Sequence, residues 1–157
     1  MFKSIKLLVL CSLLLLGGCA TPPSIEQIRQ DVVDYKLPKT PEEGKAIVYV
    51  VRPSIMGALI SFNVFLDDKK PESEMGFTRA NQYIYFNVSP GEHQILSASE
   101  NWSIVNINAK PNDVIFLRQD VHIGFLVARN HMYRIDESEG KYHVKRLALG
   151  TVIKVDK

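Results

Sequence analysis

From Gly44 onward the sequence places apolar and polar residues in alternation, and this period of two constrains the fold more than any other feature. Ala46–Arg52 is apolar on both faces, which predicts a central strand that is covered on both sides. The runs 60–66, 82–88 and 114–121 alternate, which is typical of strands with one buried face. Turns rich in proline and glycine separate the runs, so the sequence predicts a mainly β chain that folds as a single antiparallel β-sandwich.

Local signals predict how some of these elements connect. The turn sequence Ser-Pro-Gly-Glu at 89–92 predicts that 93–99 returns as the hairpin partner of 82–88. The short apolar run 125–127 predicts a further strand. Asp136 and Glu139 form a capping pattern, which predicts a short C-terminal helix that ends near residue 147.

The first nineteen residues have the layout of a signal peptide. Lys3 and Lys6 precede an apolar run at 7–16, which is shorter than the roughly 20 residues that span a bilayer. The sequence Leu-Gly-Gly-Cys at 16–19 resembles the bacterial lipobox. The resemblance implies that 1–18 are removed and that Cys19 carries the lipid, including palmitate. An ordinary signal cut near Ala20 and a retained signal anchor are the alternatives.

Residues 19–43 read as a linker between the lipid and the sandwich, which is assigned to 44–157. The linker contains four prolines, and within it an apolar face and the Ser24/Gln27 capping box predict a helix over about 24–35. This helix is expected to dock on the sandwich rather than to lie on a membrane or bind a partner, because its polar face carries both signs of charge.

Charge and cysteine content exclude several classes of function. The full chain has a net charge of +2, and removal of Lys3 and Lys6 with 1–18 leaves 17 Lys and Arg residues against 17 Asp and Glu residues. A neutral domain lacks the basic field that nucleic-acid binding requires, so no nucleic-acid partner is expected. Only Cys19 remains of the two cysteines, so no internal disulfide is expected.

The chain shows no recognisable catalytic motif or metal-ligand spacing, so no catalytic residue, cofactor or metal is expected. Asp120 and His122 form the best acid–base pair available to an enzyme, but polar positions on an exposed strand explain them equally well. His93 is expected to fix its turn. The possible binding surface consists of an aromatic platform and an exposed loop: Tyr83, Tyr85, Trp102, Ile55 and Met56. Cross-strand pairing, for which strands favour aromatic residues, is the alternative explanation of the aromatic residues and the favoured one.

Three stretches carry a resemblance to a known family: GKAIVYVVRP at 44–53, NVFLDD at 63–68 and YFNVSPGEH at 85–93. They resemble small Gram-negative lipoproteins that are described only as a domain of unknown function. The strand and Pro-Gly-x-His element at 85–93 also resembles carboxypeptidase-regulatory-like and PEGA-type β-sandwiches. The resemblance implies a fold and no site residue.

These observations together predict a lipoprotein of the bacterial envelope. It is expected to be attached to the membrane through the lipid on Cys19. Since Ala20 follows the cysteine, the lipobox resemblance implies the outer membrane, with the domain facing the periplasm. The expected role is a non-enzymatic binding or accessory module for an envelope protein partner that the sequence does not identify. The alternatives are an envelope enzyme with a site built from scattered polar residues and a structural component of an envelope assembly.

Overall fold

The computed structural model describes residues 22–155, which contain two α-helices, a short 3₁₀ turn and ten strands. The helices are α1 (Ile25–Val32) and α2 (Glu137–Arg146). The strands are β1 (Ala46–Arg52), β2 (Phe62–Leu66), β3 (Glu74–Thr78), β4 (Gln82–Val88), β5 (Gly91–Ala98), β6 (Trp102–Ala109), β7 (Val114–Ile123), β8 (Ala128–Ile135), β9 (Ala148–Leu149) and β10 (Thr151–Val152). No helix of this part of the chain is long and apolar enough to cross a membrane.

The strands form two five-stranded sheets that pack face to face as a sandwich. Sheet A has the order β8-β7-β1-β4-β9, and sheet B has the order β10-β3-β2-β5-β6. The predicted sandwich and its short C-terminal helix are confirmed. Sheet B is antiparallel as predicted, whereas sheet A is mixed, because β1 runs parallel to β7 and β4 runs parallel to β9.

Strand β1 lies at the centre of sheet A, and all seven of its residues are buried. Its Ala46, Val48 and Val50 side chains enter the core between the two sheets. Its other face belongs to a second core, which lies between sheet A and the helices and consists of Ile47, Tyr49, Val51, Tyr83, Phe116, Ile135 and Val144. The prediction of a strand covered on both faces is therefore confirmed.

The predicted hairpin between 82–88 and 93–99 is wrong. Strand β4 pairs with β1 and β9, whereas β5 pairs with β2 and β6, so the turn at 89–90 carries the chain from one sheet to the other. A proline–glycine turn reverses the chain, but it does not determine which strands pair. Strand β1 is apolar on both faces and lies in sheet A, which α2 covers on its outer face. It pairs with a strand on each side, and β4 is one of these two neighbours.

The predicted strand at 125–127 is also wrong. These residues form the exposed tip of the β7–β8 hairpin, and the strand begins only at Ala128. The alternation of β8 is weak as a sequence signal because a buried amide, Asn130, occupies one of its inward positions. The apolar run beside it gave the stronger pattern, although its side chains face solvent.

Helix α1 forms where the capping box predicts it and docks on α2. The Ser24 side chain accepts a hydrogen bond from the Gln27 amide, and the Gln27 side chain accepts one from the Ser24 amide. Asp31 pairs with Arg146 at 2.8 Å and with Lys145 at 3.3 Å, both at the end of α2. The hydrogen bond from Arg146 lowers the pKa of Asp31 below its usual range.

The segment after α1 is packed along sheet A instead of forming a free tether. Tyr35 and Leu37 contact the second core, and the Tyr49 hydroxyl donates to the Lys39 carbonyl at 2.7 Å and accepts from the Lys39 amide at 3.0 Å. The Glu42 amide donates to the Asn87 side chain at 3.2 Å. The expectation that the linker helix docks is therefore confirmed.

Two adjacent valines test this docking. Val32 is 5% exposed against the domain, while Val33 is 78% exposed. Val32→Ala is expected to lower the free energy of unfolding by about 1 to 2 kcal/mol, because it removes buried apolar surface. Val33→Ala, the matched control, is expected to stay within about 0.5 kcal/mol. Urea denaturation measures both, and equal losses would show that α1 does not contribute to the folded domain.

Candidate functional site

The four large apolar side chains of the described chain that are more than four-fifths exposed lie at one end of the sandwich, with three further exposed apolar side chains. They belong to the loop after β1 and to the tip of the β7–β8 hairpin. These residues, hereafter the apolar end, are Ile55, Met56, Leu59, Ile123, Phe125, Leu126 and Val127. Because β1 and β7 run parallel, both segments follow strands that finish at the same end of sheet A. The two segments are also close in space, since a Cβ built on Gly57 would lie 3.5 Å from Val121 of β7.

The hairpin projects beyond the strand that supports it. The last residue of β7 that pairs with β1 is Arg118, opposite Val51, and β7 continues for five more residues to Ile123. Five residues of strand extend about 16 Å. The upper part of the hairpin is supported from the other sheet, since the Gln119 side chain donates to Ser97 at 2.8 Å and accepts from Thr78 at 2.6 Å.

A buried arginine fixes the first loop of the apolar end. Arg52 has no exposed surface, and its guanidinium lies 4.0 Å from the centre of the Phe62 ring. It donates to four backbone carbonyls at 2.7 to 3.2 Å: those of Met56, Gly57, Ile60 and Thr78. Burial lowers the pKa of Arg52 to about 10, so it still carries its charge at neutral pH.

A carboxylate fixes the hairpin tip in a similar way. Glu100, in the turn before β6, accepts hydrogen bonds from the backbone amides of Phe125, Leu126 and Val127 at 2.9, 2.9 and 3.1 Å. These bonds lower the pKa of Glu100. Gly124 leaves room for this carboxylate, because a Cβ there would lie 2.4 Å from its Oε2. The tip therefore presents its side chains with its amide groups already bonded.

The structure divides the predicted binding surface into three places. Ile55 and Met56 are exposed and belong to the apolar end. Tyr83 and Tyr85 do not form an exposed platform: Tyr83 is buried and Tyr85 half-buried in the second core, where both rings contact Tyr49. Alternation placed them on one face of a strand, but it could not show that Val144 of α2, Tyr35 and Leu37 pack over that face.

Trp102 is separate from the two tyrosines and lies on sheet B. It is 40% exposed, its ring centre is 5.3 Å from that of Phe65, and the Lys69 ammonium lies over it at 4.9 Å. The lipidation candidate, Cys19, lies outside the described residues.

The acid–base pair suggested by Asp120 and His122 is replaced by a different network. Both oxygens of Asp120 are bonded elsewhere, to Arg118 at 2.8 Å and to the Tyr133 hydroxyl at 2.9 Å. Arg118 also pairs with Glu139 of α2 at 3.0 Å. Burial opposes the charge of Arg118, but these carboxylates outweigh it and raise its pKa. The network joins α2 to sheet A.

His93 fixes its turn, as expected. Its Nδ1 lies 3.0 Å from Asp67, and its Nε2 donates to the Ser89 carbonyl at 2.9 Å. The Ser89 hydroxyl lies farther away, at 3.5 Å, so this Asp–His–Ser grouping holds Nε2 on a carbonyl rather than on the hydroxyl.

A polar cavity of about 590 Å³ lies beside His93, lined in part by Asn106 and Asn108. In residues 22–155 no cluster of three or more His, Cys, Asp or Glu side chains could hold a metal ion.

Residues 42–132 match the family described as Protein of unknown function (DUF2846). The chain belongs to this family. An uncharacterized protein of Haemophilus influenzae is 29% identical to it over 135 residues, which cover 85% of this chain and 77% of the relative. No solved structure matches the chain. The predicted membership in a family of unknown function is confirmed, while the likeness to PEGA-type sandwiches remains a prediction.

The DUF2846 region contains both segments of the apolar end, together with Arg52 and Glu100. It begins after α1 and ends before α2. Ile55 and Met56 were predicted from the sequence, whereas the hairpin tip, Arg52 of the loop and Glu100 of the tip were not. For Arg52, the available signal was a lone charged residue at the end of an otherwise apolar strand.

Proposed function

We propose that this protein is a lipid-anchored, non-enzymatic binding module of the bacterial envelope that acts through its apolar end. The lipid is on Cys19, the protein resides at the outer membrane, and the domain faces the periplasm. The observation that carries the binding role is the apolar end itself. Four of its side chains are more than four-fifths exposed, namely Leu59, Ile123, Phe125 and Leu126. Clustered exposed apolar residues of this kind mark interaction sites.

The rigid construction of the apolar end supports this role. Arg52 donates hydrogen bonds to three loop carbonyls and to the Thr78 carbonyl, and Glu100 accepts three from the tip amides. Such bonds fix the backbone that carries the exposed side chains, so less backbone conformational entropy is lost on binding. By contrast, Asp120 of the predicted Asp120/His122 pair is bonded to Arg118 and Tyr133, and the His93 ring is bonded within its own turn. An enzyme is therefore the less supported alternative.

Anchoring would raise the effective concentration of the apolar end at the membrane. Its test is the replacement of Cys19 in the full-length chain, with Cys11 as the matched control because it lies in the apolar run. Cys19→Ser is expected to abolish palmitate labelling and to move the processed protein from the membrane to the soluble fraction. Cys11→Ser is expected to label and fractionate as the unchanged protein does. Undiminished labelling of the Cys19→Ser variant would refute the anchor.

A further inference from the structure

We propose that the apolar end lies against the surface of the phospholipid bilayer that holds the lipid anchor, with its hairpin tip among the headgroups. This inference rests on the proposed function and names the partner of the same site. It follows from how much chain separates the anchor from the folded domain, from the chemistry of the apolar end and from its shape.

The chain between the anchor and the domain is short. Helix α1 is already docked through Val32 and Asp31, so the domain effectively begins at Ser24. Five residues from Cys19 to Ser24 span at most about 18 Å when fully extended. A domain of this size is on the order of 30 Å across. The tether is thus shorter than the domain, so it holds Ser24 within about 18 Å of the anchor and keeps the domain close enough for its surface to contact the headgroups.

The apolar end is the part of the described surface best suited to that position. Every apolar side chain of the described residues that is more than four-fifths exposed belongs to it. Strand β7 continues for five residues past its last pair with β1, and the exposed side chains at the tip of the hairpin can enter a penetrable surface. Interfacial binding scales with the apolar area that enters the boundary between headgroups and acyl chains.

Backbone and charge at the apolar end are compatible with lipid. The tip amides of 125–127 are bonded to Glu100, so they bring no unpaired donor into a region poor in water. Two exposed arginines lie beside the apolar end, against the one carboxylate, Glu100, that holds the tip: Arg129 follows the tip and interacts with Glu100, and Arg79 follows Thr78, whose carbonyl accepts from Arg52. Cationic side chains at this depth attract lipid phosphates.

Fluorescence quenching by bilayer lipids tests the proposal on the full, processed protein. Trp102→Phe removes the sole native indole, and Phe125→Trp then places one at the tip, where the 92% exposure of Phe125 leaves space for it. The matched control combines Trp102→Phe with Ile153→Trp. Ile153 is a 51% exposed apolar residue near β3, away from the apolar end. Each protein is reconstituted into phosphatidylethanolamine and phosphatidylglycerol vesicles that contain acyl-brominated phospholipid.

The indole at position 125 is expected to lose several-fold more fluorescence than the indole at position 153. Equal quenching at the two positions would overturn the proposal. So would an unquenched tip that crosslinks to an envelope protein or to a second copy in native membranes, because a protein would then cover it. The mass of the N-terminal peptide reports lipidation of Cys19 separately. An unlipidated protein with a quenched tip would refute the anchor alone, and a lipidated protein with an unquenched tip would refute this inference alone.

Discussion

Replacing Arg52 by methionine is expected to destabilise the domain by about 3 kcal/mol or more. The substitution conserves most of the volume but removes the donors of four backbone carbonyls. An unsatisfied buried polar group costs about 1 to 3 kcal/mol. The Thr78 carbonyl is bonded in a buried setting, while the three loop carbonyls can partly turn to water. The sum therefore falls well short of four full penalties.

Arg52→Lys separates charge from geometry in this experiment. Lysine keeps the positive charge, but its single ammonium cannot reproduce the planar fork that reaches four carbonyls and covers the Phe62 ring. The free energy of unfolding of Arg52→Lys is expected to lie between that of the unchanged protein and that of Arg52→Met. The matched control is Arg79→Met, since Arg79 is exposed and its guanidinium lies 5.7 Å from the centre of the Phe77 ring. This control is expected to change the free energy of unfolding by about 0.5 kcal/mol or less.

Urea denaturation gives the free energies, and hydrogen exchange of the loop amides at 54–60 shows where the effect begins. Faster exchange in this loop, ahead of the strands, is expected for Arg52→Met because the loop loses its central donor. If Arg52→Met were no more harmful than Arg79→Met, the carbonyls would have to find water without cost. The buried arginine would then not explain the fixed position of Ile55 and Met56.

Residues close in sequence allowed much of the fold to be predicted. The Ser24/Gln27 capping box, the β1 strand, which is apolar up to Arg52, and the Asp136 cap each depend on neighbours within a few positions. Hydrophobic period and capping chemistry act at that range, so these elements are where the sequence predicts them. The pairing of β4 and β5 is different, because the two strands belong to different sheets and their partners are distant in sequence.

The candidate site was harder to predict because apolar composition has two opposite meanings. The run 125–127 has the composition of a buried strand, but it lies at a hairpin tip that nothing in the described chain covers. Tyr83 has the position of an outward-facing residue, but the second core buries it. Burial is a property of the assembled layers, and a period of two only separates one face of a strand from the other.

The ionic residues that shape the apolar end were hidden for a further reason. Arg52 and Glu100 are bonded to backbone groups and not to charged side chains, so no partner residue type appears in the sequence to mark them. Glu100 reaches the amide of Phe125, 25 positions away. The contact of Glu100 forms only when the β5–β6 turn and the tip of the β7–β8 hairpin, which belong to different sheets, meet at the same end of the sandwich.

Replacing Gly140 by alanine is expected to have the second large effect on the free energy of unfolding. The expected change is a loss of stability, whereas helix propensity alone would indicate a gain. Gly140 lies inside α2, where replacing glycine by alanine ordinarily stabilises a helix by about 1 kcal/mol. Here an added Cβ would lie 2.1 Å from Cγ and 2.3 Å from Cδ1 of Phe116. These distances are far below van der Waals contact, so the helix or the ring would have to move.

Neither partner can move easily. Phe116 is 1% exposed, and its ring stacks on Tyr49 with 5.5 Å between ring centres. Helix α2 is held by the pair between Arg118 and Glu139 at 3.0 Å. Overpacking a core costs about 1 to 3 kcal/mol. Gly140→Ala is therefore expected to destabilise the domain by about 2 kcal/mol, despite the gain in helix propensity.

A double variant assigns this loss to the contact itself. Phe116→Ala removes Cγ and Cδ1, the two ring atoms that the new methyl group would meet most closely, so Phe116→Ala with Gly140→Ala is expected to be more stable than the sum of the single losses predicts. Ser138→Ala, in the same helix, is the control and should be neutral or slightly stabilising. Urea denaturation measures all four proteins. Additive losses, or a stabilising Gly140→Ala, would mean that α2 does not approach sheet A closely enough to require glycine at this position.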